Sequence, residues 1–175
     1  KYQEYSRQTI VKNLRPAVDT LQITISQVSG RHIRRGMHIT EALASDPTGS
    51  VRLLWFNQPY RAAAIRRGEP YFISGEYALR RGRFSILNPS VELVSDFPVN
   101  TARIIPVYRE TKGLKSFTIR RLVRAGLRAL GEQPERLPLW VLRRQKLMPY
   151  QAAIAEIHFP SSAKALTEAQ KRFGF

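Results

Sequence analysis

Residues 20–29, TLQITISQVS, set Leu21, Ile23 and Ile25 against polar neighbours, a period of two that predicts a strand with one buried face. Gly30 and Gly36 then flank a turn carrying Arg31, Arg34 and Arg35. Residues 37–45 predict a second strand, closed by the turn signal Asp46-Pro47-Thr48-Gly49, and residues 50–56 a third. Asn57 suits a helix N-cap and Pro59 a first turn, so the Ala-rich run 57–67 predicts a short helix with Gly68 as its stop. Strand pattern returns over 70–79. A tight RRGR turn follows at 80–83, and 84–94 supply one or two more strands. The order is β-β-β-α-β-β.

The third strand ends in VRLLWFNQPY, residues 51–60, where two adjacent aromatics precede the helix start and a third follows inside it. Strand side chains alternate, so Trp55 and Phe56 face opposite sides and one ring enters a core while its neighbour stays outside. Phe56 and Tyr60 together present two rings at one strand-to-helix corner. Two readings are open at this point. Either the pair stacks on bases, or one ring caps the core's open end and the other lies under the helix.

One helix between strands three and four, in a five-stranded order, is the pattern of an OB-fold, a partly open barrel that takes oligonucleotides on one sheet face and two loops. The chain is therefore read as mainly β with α: a five-stranded OB-fold barrel over 15–98, preceded by a lead-in segment 1–14 and followed by a helical C-terminal region over 99–175. The loops joining strands one to two and four to five are both basic. They carry Arg31, Arg34 and Arg35 in the first and Arg80, Arg81 and Arg83 in the second, all candidates for phosphate contact. In the helical region, residues 115–130 place Ile119, Leu122, Val123, Leu127 and Leu130 on one face, predicted to pack inward. Arg120, Arg124 and Arg128 form a stripe on another face. Arg120 and Arg124 read either as a solvated surface or as further phosphate contacts.

Charge sharpens this picture. Twenty-nine Lys and Arg against 13 Asp and Glu give +16 and a pI near 11, and the excess runs through both halves of the chain. Such a field favours polyanions, nucleic acid first, with a ribosome-like structural role or an acidic partner domain as the alternatives. The absence of cysteine excludes disulfides, thiolate catalysis and cysteine-ligated zinc, and fits a cytoplasmic protein. No apolar run approaches the ~20 residues of a membrane span, and the chain does not begin with Met, which reads as a piece of a longer protein.

Catalytic motifs are missing. There is no G-x-x-x-x-G-K-[ST], so the chain alone builds no ATPase. Ser161-Ser162-Ala163-Lys164 matches S-x-x-K but opens a helix after Pro160, where a capping serine is expected. His32, His38 and His158 lack metal-ligand spacing. No catalytic residue, metal or cofactor is expected in this chain.

Motifs spread from end to end resemble a known family, the wedge region of bacterial RecG, an ATP-dependent branched-DNA helicase. They comprise Tyr2-Gln3-Glu4-Tyr5-Ser6, then Asp46-Pro47-Thr48-Gly49 with Leu54-Trp55-Phe56-Asn57-Gln58-Pro59-Tyr60, Gly75 and Asn88-Pro89. Downstream follow Ile105-Pro106-Val107-Tyr108, Lys112-Gly113-Leu114, Leu137-Pro138, Ile157-His158-Phe159-Pro160, and Ala169 with Arg172-Phe173. The resemblance implies a wedge that sits at a DNA branch point while a two-lobed motor, using ATP and Mg2+, draws in the parental duplex at stalled forks and Holliday junctions. It implies that Phe56 and Tyr60 are the stacking pair, and that residues 99–175 lead to that motor. The implied partners are branched DNA and the motor domains of the same polypeptide, with no membrane, in a monomer of the bacterial cytoplasm near the nucleoid. Departures are Arg15-Pro16-Ala17, where the family has Pro-Gly, and Glu76, where a basic residue is common; His158 reads as a packing residue. The alternatives are a stand-alone OB module for single-stranded DNA or RNA, and a protein-docking module built on the C-terminal helices.

Overall fold

Alternation along the first long strand becomes the two faces of a sheet. In the computed structural model, which describes residues 1–33, 36–80 and 82–175 (Arg80 for its backbone alone), Leu21, Ile23 and Ile25 are all buried. The chain runs β1 (Tyr2–Glu4), β2 (Gln8–Thr9), a 3-10 turn (Val11–Asn13), β3 (Val18–His32), β4 (His38–Asp46), β5 (Gly49–Phe56) and α1 (Tyr60–Ala64). It continues through β6 (Pro70–Arg80), β7 (Arg83–Leu87), β8 (Ser90–Leu93) and β9 (Ile104–Pro106), and ends in four helices. These are α2 (Ser116–Ala129), α3 (Leu139–Gln145), α4 (Tyr150–His158) and α5 (Ala163–Gly174).

Two compact units result: residues 4–102, and residues 1–3 with 103–175. In the first, β3 pairs with β4, β4 with β5, β5 with β7, β7 with β6, and β6 with β3 again. Five strands thus close a ring, with α1 between the third and fourth, as expected for an OB-like fold. β3 serves both neighbours because its register shifts between Ile25 and Gln27; such an irregularity bends a strand. Trp55, Leu53, Ile73, Tyr77 and Ile86 lie at the centre, fully buried. The two polar tips are satisfied there: Trp55 Nε1 donates to the Pro89 carbonyl at 3.1 Å, and the Tyr77 hydroxyl to the Ile73 carbonyl at 2.9 Å.

Residues 4–14 also belong to this unit. The Asp46 carboxylate accepts from Thr48 and Gly49 through Oδ1, closing its own turn, and from the Val11 N–H at 2.8 Å through Oδ2. Although burial pushes its pKa up, these hydrogen bonds hold it below the usual carboxylate value. Gly49 is required there, since a Cβ would meet Val11 Cγ1 at 2.7 Å.

The predicted helix over 57–67 is only five residues long. Asn57 is not its N-cap: it takes φ 55°, donates its N–H to the His38 carbonyl, and accepts from the His38 N–H through Oδ1. The side chain is spent tying β5 to β4, and Pro59 occupies the cap position instead. The helix ends when Ile65 turns into the core in extended conformation, and the Tyr71 hydroxyl accepts the Arg66 N–H at 2.8 Å.

In the second unit β1 pairs with β9, and α2 corrects another expectation. Its buried residues are Ser116 and Arg120, while Leu122 and Leu130, predicted to pack inward, are 60% and 43% exposed. The reason is a carbonyl that needs a donor. Arg120 Nη1 donates to Pro106 O at 2.9 Å and to Ser116 Oγ at 3.0 Å, and that hydroxyl accepts from the Tyr108 N–H. Arg124 follows on the same side, half-buried with its guanidinium 5.9 Å from the Phe159 ring. The helix thus buries two polar side chains, while along its apolar stripe Ile119, Val123 and Leu127 are half-buried and only Leu122 and Leu130 stand exposed.

Among the described residues no helix is long and apolar enough to cross a membrane.

Candidate nucleic-acid interface

Phe56 is the last residue of β5. Residues opposite one another in a sheet share a face, so the register places Arg31, Ile39 and Phe56 in one row on the outer side. The next row holds Ser29, Glu41, Leu54 and Leu87; the third holds Gln27, Leu43, Arg52 and Ser85. Leu43 and Leu87 stand partly exposed on this face, and the Arg52 charge is matched by Glu41 at 2.9 Å. Trp55, one residue earlier, is fully buried. Alternation has therefore put one ring in the core and its neighbour, half-buried, on the surface.

Tyr60 opens α1 and is 54% exposed. Its hydroxyl donates to Gln58 Oε1 at 2.9 Å, and the same oxygen accepts from Arg61 Nε at 3.1 Å. The Arg61 guanidinium lies 5.5 Å from the Tyr60 ring centroid and 5.6 Å from that of Trp55, within cation–π range of both. Gln58 Nε2 donates at 3.2 Å to Asn88 Oδ1, which also accepts the Phe56 N–H at 2.9 Å. Asn88 can reach both because it adopts φ 48° after β7, with its own N–H on the Leu54 carbonyl. The Gln58 backbone is fixed as well: its carbonyl accepts from the buried Thr40 hydroxyl at 3.0 Å.

The structure brings Arg31 to the edge that carries Phe56, because the β3–β4 loop opens beside the end of β5. Arg83 is exposed at the start of β7. The parallel β5–β7 register sets it level with the beginning of β5, six residues from Phe56, or about 20 Å along a strand. The two basic loops thus flank opposite ends of the outer face. Arg34, Arg35 and Arg81, and the side chain of Arg80, lie outside the described residues.

Arg120 leaves the set of phosphate-contact candidates, since it is buried and bonded within its own unit. Arg124 packs on Phe159 rather than standing in a solvated stripe. Arg121 and Arg128 are exposed on the same helix. The S-x-x-K match resolves into structure: Ser162 caps α5 by accepting from the Ala165 N–H, and Ser161 Oγ donates to Glu156. His158 Nδ1 meets the Tyr108 hydroxyl at 2.7 Å. Burial lowers the histidine's pKa and raises that of Tyr108 to about 12.

Sequence reasoning missed Gln58, Arg61 and Asn88 as parts of the corner. Gln58 and Asn88 both stand in the motifs quoted above, yet thirty residues separate them and only the fold shows that they touch.

A closed five-stranded ring with a helix after its third strand, an open outer face and two rings at one corner defines an OB-like domain. The profile of the RecG wedge domain matches residues 3–130, and the chain belongs to that family. It is 29% identical over 146 residues to the ATP-dependent DNA helicase RecG of Thermotoga maritima, covering 81% of this chain and 18% of that relative. The RecG of a Synechocystis species is 27% identical over 158 residues, with 81% and 19% covered. The chain thus spans about a fifth of the length of the curated relatives it matches. Among solved structures, RecG bound to a three-way DNA junction superposes with a TM-score of 0.82 at 27% identity, over 99% of this chain and 24% of that one.

Proposed function

We propose that this chain is the DNA-splitting wedge of a branched-DNA helicase acting on stalled forks and Holliday junctions in recombination and repair. The observation that carries the reading is the corner at the end of β5, where Phe56 and Tyr60 stand outward and are braced from behind. Each ring stacks on a base next to the branch and holds the separating strands apart. Stacking is worth about 1–3 kcal/mol per base, whatever the base, so the wedge reads junction shape and not sequence.

Arg31, with Arg34 and Arg35 of the same loop, holds backbone phosphates beside the corner. Arg83 meets the strand about 20 Å away, roughly six nucleotides at ~3.4 Å each, and Arg80 and Arg81 of the same sequence turn are further phosphate contacts. The chain carries no catalysis of its own in this reading. ATP and Mg2+ serve motor domains elsewhere in the longer polypeptide, which is a monomer of the bacterial cytoplasm near the nucleoid. Leu122 and Leu130, exposed on α2, form part of the surface that the motor covers, an occupant supported by relatives about five times this chain's length.

The test is competition binding of a three-way fork against duplex and single strand of equal length. Phe56→Ala is expected to weaken fork binding about tenfold, within the range of one lost stack, and to leave duplex binding within twofold. Equal losses on both substrates contradict the wedge. Equal affinity for forks and plain single strands favours the stand-alone OB module.

A further inference from the structure

We propose that Gln58 is a positioning residue of the stacking corner: it locks the Tyr60 ring against the Arg61 guanidinium, so that the ring offers one face to one base. The inference rests on the wedge reading and adds a residue and a mode of action to it.

Three observations carry it. First, Gln58 Oε1 accepts from both the Tyr60 hydroxyl and Arg61 Nε, at 2.9 and 3.1 Å, so one oxygen fixes the ring and the cation together. Second, Arg61 lies 5.5 Å from the ring centroid, which covers one face of Tyr60 and leaves the other to a ligand. Third, Gln58 is itself anchored at both ends. Its Nε2 reaches Asn88 Oδ1, the same atom that holds the Phe56 N–H, and its carbonyl holds the Thr40 hydroxyl. The Phe56 backbone and the Tyr60 hydroxyl are therefore joined through Asn88 and Gln58.

A surface tyrosine ring without such a tether samples several rotamers, and ordering it on a base costs conformational entropy. Holding it in advance removes that cost from binding. Glutamine suits the role for a chemical reason: a carboxamide accepts at one end and donates at the other, as this relay requires.

The test uses the 175-residue chain, reading the ratio of fork to duplex affinity together with the thermal midpoint. Tyr60→Phe keeps the ring and removes only the tether, and it is expected to lower the ratio about fivefold, the effect of one lost hydrogen bond. Gln58→Leu is expected to lower it at least as far. In the Gln58→Leu background, Tyr60→Phe is expected to have no further effect, because the hydroxyl has already lost its acceptor. The midpoint of Tyr60→Phe should fall by no more than about 2–4 °C, so the chain stays folded. The inference is overturned if Tyr60→Phe costs the same in both backgrounds, since the hydroxyl then acts elsewhere. It is overturned alone if Tyr60→Ala lowers the ratio while Gln58→Leu and Tyr60→Phe leave it intact. If Tyr60→Ala leaves the ratio intact, the wedge reading itself falls.

Discussion

Asn57 and Asn88 both adopt positive φ, and each uses its side-chain oxygen to hold a backbone N–H across strands. Asparagine is suited to both demands, since it tolerates the left-handed region better than most residues and carries a short acceptor. The two contributions separate experimentally at Asn88. Asn88→Gly keeps the backbone conformation and loses the acceptor; Asn88→Ala loses both. Chemical denaturation should show the alanine variant less stable than the glycine variant by about 1 kcal/mol, the left-handed penalty alone. Equal stabilities would mean that the turn relaxes and that Asn88 serves only as acceptor. Sequence pointed to Asn57 as a helix cap because the residue type fits and Pro59 follows two positions later. The cap was not needed there, and the tie to His38 won.

At the scale of elements, strands were legible and helix faces were not. Alternation over 20–29 and 50–56 is a local pattern, and a ring of strands with one buried side obeys it residue by residue. The division between Trp55 and Phe56 followed from that rule alone. Helix α2 obeys a different logic. Its burial is set in part by the Pro106 carbonyl and the Phe159 ring, which no local periodicity reveals, so Arg120 and Arg124 lie inside while Leu122 and Leu130 stand exposed. A similar long-range tie explains the motif at Arg172. That residue is 7% exposed and its side chain donates to Glu135 Oε1 at 2.8 Å, while Glu135 also accepts from the N–H groups of Leu137, Tyr150 and Arg136. These bonds, those from Leu137 and Tyr150 foremost, hold the Glu135 pKa at about 2, below the ordinary 4.5. A depressed carboxylate contributes stability above the unfolded pKa and loses it as pH falls through the folded one. Thermal melts should show the wild type falling toward Glu135→Gln between pH 4.5 and about 2, with the largest gap near neutrality. A gap independent of pH would show that the carboxylate's charge is not what holds α4 and α5 to this loop.

For the whole molecule, +16 on 175 residues favours polyanions in general, and in the proposed reading the outer face supplies the discrimination. The charge and the OB order were readable from the chain; the spacing between its two basic loops was not, since it depends on the parallel β5–β7 pairing. In the proposed reading it is the Phe56 corner that meets unpaired bases. The most direct test places 2-aminopurine beside the branch of a three-way fork and, separately, deep in one arm. Stacking of Phe56 and Tyr60 predicts a fluorescence change on binding at the branch position alone, lost in Phe56→Ala/Tyr60→Ala. A change of equal size in the arm, or one that persists in the double variant, would contradict the wedge.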